Sequence, residues 1–437
     1  MKSDCWRDEM KEPVNVYSMP GLSVHMTRGE DGKIRLMGKG ILKFVARPFL
    51  STANKRLEVE KPAKVTEDIV YPSAWLPPIP SPVFKRLVKA EIGTVRGVYV
   101  PETVSIEVTR KHNANAARYA KKNGIGGTGN AGSTGNTGGN AGDTGSAGDT
   151  GSAGGTGNID AGDLPDPPEA QIKKAIDEAL DMGAVVITFT EGDPMLNENI
   201  VEYVRYVDKE RAVVMAYTWG IDFSLEKARQ LKAAGLQTLL VSIYSTIPAE
   251  HDRKRGFSGA YDKAIEAIHN GLRAGLLVTM ATHVDSKRVG ELEKLWELAT
   301  ELGVHEFSVW ESVPNLQGDP MISDDDRQII TDFYKRVNAS ADDGPRIFSN
   351  TIFEGEMFGN LAGRRWAHVT TEGEVWPDPY IPLSYGNIRE EPFEKIWKKM
   401  RKEPALRKKR QTHVLYDPVY LQKVRDGVGQ DSGNLRK

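Results

Sequence analysis

Cysteine is almost missing from this sequence, because Cys5 is the only one among 437 residues. A single thiol excludes a disulfide framework and any cluster of thiolate ligands within one chain. Long apolar runs are missing as well: no stretch of about 18 apolar residues occurs, and this predicts no transmembrane helix. The chain starts with charged residues (MKSDCWRDEMKEP), unlike a signal peptide. We therefore expect a cytoplasmic protein.

An excess of charge of one sign is also missing. The formal net charge is −2, so the chain as a whole is not drawn to nucleic acid or to an anionic membrane. The basic run from Arg401 to Arg410 contains no aromatic residues, and we interpret it as the solvated face of a helix. Hydrophobic content of 39% and charged content of 27% are typical of a soluble globular protein. We predict no nucleic-acid partner.

The most informative stretch of the chain is residues 102–123, ETVSIEVTRKHNANAARYAKKN. Its first part alternates Val104, Ile106 and Val108 with polar side chains, which is the period of a strand with one buried face. After Thr109 the alternation gives way to small and polar residues. A strand that ends in such a loop, ahead of alternating helices and strands, is where an α/β barrel places its reactive groups.

A glycine-rich segment, residues 124–163, follows directly. Between positions 124 and 158, 15 of 35 residues are Gly, and Ile125 is the largest other side chain, so the stretch cannot form a core of its own. Gly recurs at every third residue from Gly129 to Gly138 and, after a slip of one, from Gly139 to Gly157, but the positions between hold no proline, unlike collagen. We predict a flexible loop that resembles an insertion or an engineered replacement.

From Pro167 onward, helices and strands alternate regularly. The predicted strands are GAVVITFT, RAVVMAYT, QTLLVSIYS, LLVTMATHV and HEFSVWESV, and a helical pattern follows each of them. With the strand at 103–109 this makes six βα units, which predict a parallel sheet with right-handed crossovers. Six units are too few for an eight-stranded barrel. We therefore predict the α/β class, as a partial (βα)6 TIM-like barrel over residues 98–340.

A different pattern follows the barrel, in residues 341–437. There WAHVTTEGEVWPDPY predicts two short strands joined at Glu372-Gly373, and EEPFEKIWKKMRKEPALRKKR predicts a helix. We predict that this region is a small α+β C-terminal cap on the barrel.

The N-terminal extension, residues 1–97, allows two interpretations. Its proline-rich part is extended, and amphipathic segments lie on either side of that part. In the first interpretation these segments pack on the barrel. In the second, residues 40–93 form a peripheral membrane or protein contact, because basic amphipathic segments near Trp75 and Phe84 suit an interface.

Two loops at strand ends carry a resemblance to a known family. KHNANAARYA (residues 111–120) follows the first barrel strand, and Glu191-Gly192-Asp193-Pro194 follows the second. The order of these loops along the six units resembles the radical S-adenosylmethionine (radical SAM) enzymes with a SPASM or Twitch-type C-terminal extension. In that family, a C-x3-C-x-aromatic-C loop holds a [4Fe–4S] cluster, and the cluster binds SAM.

The resemblance implies particular ligand positions in the first loop. Aligned on the strand and the aromatic residue, the three thiolate positions are Asn113, Ala117 and Ala120, with Tyr119 as the aromatic residue. A second frame keeps the spacing but loses the aromatic residue, and it places the ligands at His112, Ala116 and Tyr119. Neither frame contains a cysteine, and Fe–S clusters require thiolates, at most with His replacing some of them. We therefore expect no cluster in this chain.

The resemblance also implies a SAM site on the barrel. Glu191-Gly192-Asp193-Pro194 stands where the family has G-G-E-P, which receives the SAM amino group: Gly192 permits close backbone approach and Asp193 accepts hydrogen bonds from an ammonium. Ser242 and Arg255 resemble the contacts to the SAM carboxylate and ribose. His283, and with it Trp310 and Glu311, end later strands and are expected to face the pocket.

A further part of the resemblance lies in the C-terminal region. GNLAGRR (359–365) and GEVWPDPY (373–380) resemble the SPASM/Twitch frame. In that frame the auxiliary-cluster cysteine positions are taken by Asn360, Asp378 and Val414. The pair Arg364-Arg365 suits either an acidic substrate or structural carboxylates, and the sequence leaves both open.

These expectations lead to two functional hypotheses. The first is a radical SAM-type enzyme scaffold, built for reductive SAM cleavage and hydrogen abstraction from a small molecule, lipid or peptide, and inactive as written because the cluster has no thiolates. The second is a non-catalytic SAM-binding or partner-binding protein on the same barrel. A cofactor-free barrel such as an aldolase is disfavoured, because no lysine stands at a strand end suited to a Schiff base. The cysteines are absent through natural loss or engineering, and both origins stay open.

Overall fold

A computed structural model describes residues 13–28, 34–66, 69–111, 165–314, 321–340 and 344–434. The predicted cluster loop after Lys111 lies outside the described residues, and with it Asn113, Ala117, Tyr119 and Ala120. The glycine-rich segment 124–163 also lies outside them.

A parallel sheet forms the centre of the fold. Its strands follow one another along the chain as β6 (Thr103–Glu107), β7 (Val186–Thr190), β8 (Val213–Thr218), β9 (Thr238–Ser242), β10 (Leu277–Val284), β11 (Glu306–Glu311) and β12 (Arg346–Ser349). Each pairs in parallel with the next. The predicted strands β6 to β11 are confirmed, and the α/β partial-barrel class is correct.

Helices connect these strands and cover the outer face of the sheet. They are α3 (Glu169–Met182), α4 (Ile200–Tyr206), α5 (Leu225–Ala234), α6 (Pro248–Arg255), α7 (Ala260–Arg273), α8 (Leu292–Glu301) and α9 (Asp324–Ala339). Local sequence sets several of their ends. The Ser224 side chain accepts a hydrogen bond from Lys227 N at the start of α5. Gly183 and Gly235, in the left-handed region, end α3 and α5.

Successive side chains of each strand point to opposite faces of the sheet, so an apolar layer forms on each side of it. Val104, Ile106 and Val108 point outward into the core between sheet and helices. The intervening residues, among them Ser105 and Glu107, point into the barrel lumen. Parallel strands covered on both faces are buried throughout, which explains their long apolar runs.

The N-terminal region closes the amino-terminal end of the barrel. It consists of β1 (Val14–Met19), β2 (Leu22–Arg28), β3 (Ile34–Lys39), α1 (Lys43–Val59), β4 (Lys64–Val65), β5 (Val70–Tyr71) and α2 (Pro82–Val95). Strands β1 to β3 form an antiparallel sheet that packs on α1 and α2. The Trp75 side chain, on the loop before α2, enters the lumen and packs against Trp310, Phe348 and Trp366.

This packing decides between the two interpretations for Trp75 and Phe84. Both side chains are buried, at 6% and 4% exposure, so neither is available for an interface. The membrane or protein contact considered for residues 40–93 therefore cannot use these two side chains, and it stays a prediction for the rest of the segment. Within the described residues, no helix combines the length and apolar character needed to cross a bilayer.

The C-terminal region contributes to the barrel sheet itself. Its elements are β13 (Trp366–Val369), β14 (Val375–Trp376), α10 (Phe393–Met400), α11 (Pro404–Arg407) and α12 (Pro418–Asn434), and a π-helix (Thr351–Phe358) precedes them. Strand β13 pairs in parallel with β6, and β14 pairs antiparallel with β13. The two short strands at Glu372-Gly373 are thus confirmed. The sequence analysis missed β12 and did not predict that β13 would lie beside the first barrel strand.

Candidate functional site

The turn after β7 is held against the end of β6. Gly192 has φ +57°, and a Cβ added there would lie 2.7 Å from the carbonyl oxygens of Thr109 and Lys111. The backbone N–H of Asp193 donates to the Lys111 oxygen at 2.8 Å. Only glycine fits both the backbone conformation and this close approach. The structure therefore joins the predicted motif to the strand that leads into the predicted cluster loop.

Replacing Gly192 by Ala is expected to reduce the free energy of unfolding by about 1–3 kcal/mol, because the new methyl group meets two backbone carbonyls that cannot move aside. Urea denaturation followed by circular dichroism measures the change. Gly259→Ala is the matched control: Gly259 has φ +83° with nothing within 4 Å of an added Cβ. Equal losses in the two variants would contradict a role for close approach.

Asp193 lies fully buried between the ends of β7 and β8. Its carboxylate accepts hydrogen bonds from Met195 N at 3.0 Å, Thr218 Oγ1 at 3.0 Å and Trp219 N at 2.9 Å. Burial raises the pKa of Asp193 to about 6, although these donors and the charge of Arg255 oppose the shift. A carboxylate offers about four acceptor positions, and these donors occupy three of them. Pro194 starts the short 3-10 turn (Pro194–Leu196) that presents Met195 N.

Arg255 is the second buried charge at this end of the barrel. It is the last residue of α6, it is fully buried, and its guanidinium lies 4.4 Å from the ring centroids of both Trp219 and Tyr244. Its Nη2 donates to the Ser242 backbone oxygen at 3.5 Å. The predicted residues Ser242 and Arg255 are therefore together. Trp219 connects them to Asp193, because its backbone bonds to the acid and its ring covers the cation.

His251 is buried four residues before Arg255 on the same helix. Its Nδ1 accepts a hydrogen bond from Tyr244 N at 3.1 Å. Burial, together with the charge of Arg255, lowers the pKa of His251 to about 3. The imidazole is therefore neutral, and of these two side chains only Arg255 carries a positive charge.

His283 lies at the carboxyl end of β10, where barrel and C-terminal region meet. Its Nε2 is 3.0 Å from the Tyr380 hydroxyl, and its ring packs beside Trp310. Burial raises the pKa of Tyr380 well above its ordinary value, with Tyr217 and Asp378 adding to the shift, so the phenol keeps its proton. The mouth of the lumen thus offers a neutral hydroxyl and an imidazole, both half-buried.

A second buried network links β6 to β13. Ser105 Oγ is 3.0 Å from His368 Nδ1, and His368 Nε2 is 3.0 Å from Glu107 Oε1. Ser105 Oγ also accepts a hydrogen bond from Trp366 Nε1 at 3.0 Å. Ser105 and His368 are completely buried, which keeps a substrate away from the serine. The network holds the Glu107 carboxylate at the carboxyl end of the lumen.

The predicted auxiliary positions meet in the C-terminal region. Asn360 Oδ1 accepts a hydrogen bond from Val414 N at 3.1 Å, and Asp378 Oδ2 is 2.7 Å from His413 Nε2. Burial disfavours the charged imidazole, yet the Asp378 carboxylate holds the pKa of His413 above its ordinary value. Burial raises the pKa of nearby Glu354 to about 7. The Asp378 carboxylate and the His413 imidazole thus bond to each other, and the Asn360 amide bonds to backbone groups; none of these groups is a thiolate.

The structure also shows where Trp310, Glu311 and the pair Arg364-Arg365 lie. Trp310 points into the lumen as expected, but Glu311 points to the opposite side and pairs with Arg327 at 3.1 Å. Arg365 pairs with two buried carboxylates, and Arg364 Nε donates to the Asn360 oxygen at 2.9 Å. The arginine pair is therefore structural, which decides between the alternatives that the sequence left open.

The sequence analysis missed Tyr380, Tyr217 and His368 as residues of the lumen. Polar alternation on β6 signalled Ser105 and Glu107, but their partner His368 lies 263 residues from Ser105 in the chain. The pairing of β13 with β6 is a tertiary contact, and no local sequence pattern indicates it. Tyr217 was detectable, because it lies two residues after Met215 near the end of a predicted strand and therefore on the same face.

A family profile and the sequences of curated relatives point to the same family. The Radical SAM superfamily profile matches residues 153–299. AdoMet-dependent heme synthase of Methanosarcina barkeri is 30% identical over 252 residues, which are 52% of this chain and 72% of that protein. Fe-coproporphyrin III synthase of the same organism is 25% identical over 257 residues, covering 52% of this chain and 64% of that protein. SuiB of Streptococcus suis aligns over 71% of each chain at 11% identity, with a TM-score of 0.47. This chain belongs to the radical SAM superfamily.

Proposed function

We propose that this chain binds SAM at the carboxyl ends of β7, β8 and β9 and that, as written, it does not cleave it reductively. The observation that carries the proposal is the pairing of a buried acid, Asp193, with a buried cation, Arg255, at neighbouring strand ends. An amino-acid group carries an ammonium and a carboxylate, so it needs one partner of each sign. Trp219 contacts both charged groups and fixes their spacing.

The residues present fit SAM. The Asp193 carboxylate has an acceptor position left for an ammonium, and the Gly192 turn brings the backbone close enough to receive it. The Arg255 guanidinium, between two aromatic rings, suits the SAM carboxylate, with Ser242 beside it. Within the superfamily, SAM supplies the carbon–sulfur bond whose reductive cleavage starts hydrogen abstraction.

The residues present do not fit a [4Fe–4S] cluster. Iron–sulfur clusters require thiolates, and the sequence holds only Cys5. At the positions implied by the resemblance stand Asn113, Ala117 and Ala120, none of which supplies a soft donor. Asn360 already accepts a hydrogen bond from the Val414 backbone, and Asp378 already pairs with the His413 side chain. We therefore propose a barrel that keeps its SAM site without the reductive chemistry.

A substrate would reach the lumen at its carboxyl end, since the N-terminal region, with the Trp75 side chain inserted into the lumen, closes the other end. His283 and Tyr380 would meet it first. A hydroxyl and an imidazole bind small molecules, lipid headgroups and peptides alike. We propose this mouth as the substrate entrance and leave all three classes as substrates to be screened.

Two measurements test the proposal. Calorimetric titration with SAM is expected to give saturable binding, which Asp193→Asn and Arg255→Met each weaken at least tenfold, or about 1.4 kcal/mol. Asp177→Asn, on the outside of α3, is the matched control. No heat of binding in the unaltered chain would overturn the SAM site and favour the partner-binding alternative.

The second measurement concerns the cluster. Anaerobic incubation with iron and sulfide is expected to leave the protein without stoichiometric cluster absorbance, whereas a stoichiometric cluster would overturn the proposed loss. Two triple variants provide positive controls and separate the two frames: cysteines at Asn113, Ala117 and Ala120, or at His112, Ala116 and Tyr119. The frame whose variant assembles a cluster is the correct one.

The affinity for SAM is expected to rise with pH. Below the Asp193 pKa of about 6, the carboxyl is neutral and binds an ammonium poorly, so each lower pH unit weakens binding up to about tenfold. The raised pKa also affects the stability of the protein without ligand. Protonated Asp193 favours the folded state below about pH 4, and this contribution is lost as pH rises through about 6. Titrations between about pH 5 and 7.5 measure the slope, and Asp193→Asn is expected to abolish it. A flat profile in the unaltered chain would contradict the role of this acid.

A further inference from the structure

An exposed face of mixed basic and apolar side chains lies at the junction of β3 and α1. Two large apolar side chains project from it: Ile41 is 84% exposed and Phe44 is 64% exposed. Exposed apolar residues scattered singly are normal on protein surfaces, whereas neighbouring ones rimmed by polar residues mark an interaction site. We call this the β3–α1 face, and it consists of Met37, Lys39, Ile41, Lys43, Phe44 and Arg47.

The charge around this face is strongly one-sided. Residues 34–57 contain six Lys and Arg residues and no Asp or Glu, in a chain whose net charge is −2. The basic residues Lys39, Lys43 and Arg47 alternate with Ile41 and Phe44 and are exposed. Three exposed basic residues therefore lie within a few residues of the two projecting apolar side chains.

The fold holds this face outward rigidly. Gly40 has φ +100°, and a Cβ there would lie 2.4 Å from the Gly21 oxygen, so the turn between β1 and β2 packs directly against it. The Gly21 oxygen also accepts a hydrogen bond from Leu42 N at 2.8 Å. On the next turns of α1, Ala46 and Leu50 are buried in the core. Ile41 and Phe44 therefore project because the turn and the helix are anchored beneath them.

We propose that the β3–α1 face docks on an anionic lipid surface. Phe44 and Ile41 would enter the boundary between headgroups and acyl chains, while Lys39, Lys43 and Arg47 would pair with anionic headgroups. Side chains that project, rather than line a groove, suit a fluid surface that moulds around them. A protein partner would instead have to offer a matching pocket. The inference does not rest on the proposed SAM site.

Vesicle co-sedimentation of the full chain tests the proposal. Binding to vesicles of phosphatidylcholine with phosphatidylglycerol is expected to exceed binding to phosphatidylcholine alone, and to fall as salt is added. Lys43→Ala and Arg47→Ala are each expected to weaken binding about fivefold. Phe44→Ser is expected to weaken it further, while Val419→Ser, at a residue 80% exposed elsewhere on the surface, is expected to leave it unchanged.

The alternatives give distinct results. Equal binding to both vesicle types, or none to either, would overturn the proposal. So would sedimentation equilibrium that shows a dimer lost in Phe44→Ser, because the face would then bind a second copy. Vesicle binding that appears only after removal of residues 1–12 would show that the chain's own N-terminus covers the face, and it would also overturn the proposal. Thermal unfolding of each variant checks that these surface changes leave the fold intact.

Discussion

Replacing Arg365 by Ala is expected to reduce the free energy of unfolding by about 3–5 kcal/mol, because it leaves two buried carboxylates without their cation. Arg365 Nη1 lies 2.8 Å from both Glu102 oxygens, and its Nη2 lies 3.0 Å from Glu91 Oε2. All three residues are under 10% exposed. Glu91 lies on α2, Glu102 before β6 and Arg365 before β13, so the cluster joins the N-terminal region, the barrel and the C-terminal region.

This loss is expected to depend on pH. Burial raises the pKa of Glu102 to about 7, despite the opposing charge of Arg365 and with the help of Glu91. Because the folded pKa is above the unfolded one, Glu102 stabilises the fold at low pH and loses this contribution as pH rises through about 7. Without Arg365 the pKa rises further. Urea denaturation is therefore expected to show a larger loss at about pH 8 than at about pH 5.

A neighbouring residue provides the control. Arg364 is buried too, but its guanidinium bonds to the neutral backbone oxygens of Asn360 and Phe358. Arg364→Ala is expected to lower stability with a much weaker pH dependence. Combining Arg365→Met with Glu91→Leu and Glu102→Leu is expected to recover most of the loss, because no buried charge then lacks a partner. Similar pH slopes for the two arginine variants would contradict the charge explanation.

Local sequence patterns predicted the barrel because each βα unit is specified locally. Strands β6 to β11 show continuous or alternating apolar runs, and helix ends such as Gly183 and Gly235 carry their own signals. These features depend on neighbours in sequence, so composition and periodicity reveal them.

Features that depend on distant contacts were not predictable in the same way. The pairing of β13 with β6 places His368 beside Ser105, and the C-terminal region places Tyr380 beside His283. Neither contact has a sequence signal, because the partner is set by tertiary order. The lumen position of Trp75 is a third case: a proline-rich stretch predicts an extended chain, but nothing in it shows what the tryptophan will meet.

Trp75→Ala is expected to lower the free energy of unfolding by about 3–5 kcal/mol, the range for a large aromatic side chain lost from a core. The ring centroid lies 5.1 Å from that of Trp310, edge to face, and 5.4 Å from that of Phe348, stacked. Its loop is also tied to the barrel, since Ala74 N donates to the buried Glu306 carboxylate at 3.1 Å. Removing the ring leaves a cavity that these neighbours cannot fill, because they are anchored on separate strands.

The experiment also tests whether the N-terminal region and the barrel unfold together. Guanidinium denaturation followed by tryptophan fluorescence and by far-ultraviolet circular dichroism is expected to give coincident transitions, shifted together in Trp75→Ala. Near-ultraviolet circular dichroism of the folded variant is expected to lose signal from the aromatic cluster. Leu76→Ala, at the half-buried neighbour, is the matched control with a smaller expected loss. If only an early transition shifted, the N-terminal region would be a separate unit, and Trp75 would cover the barrel without stabilising it.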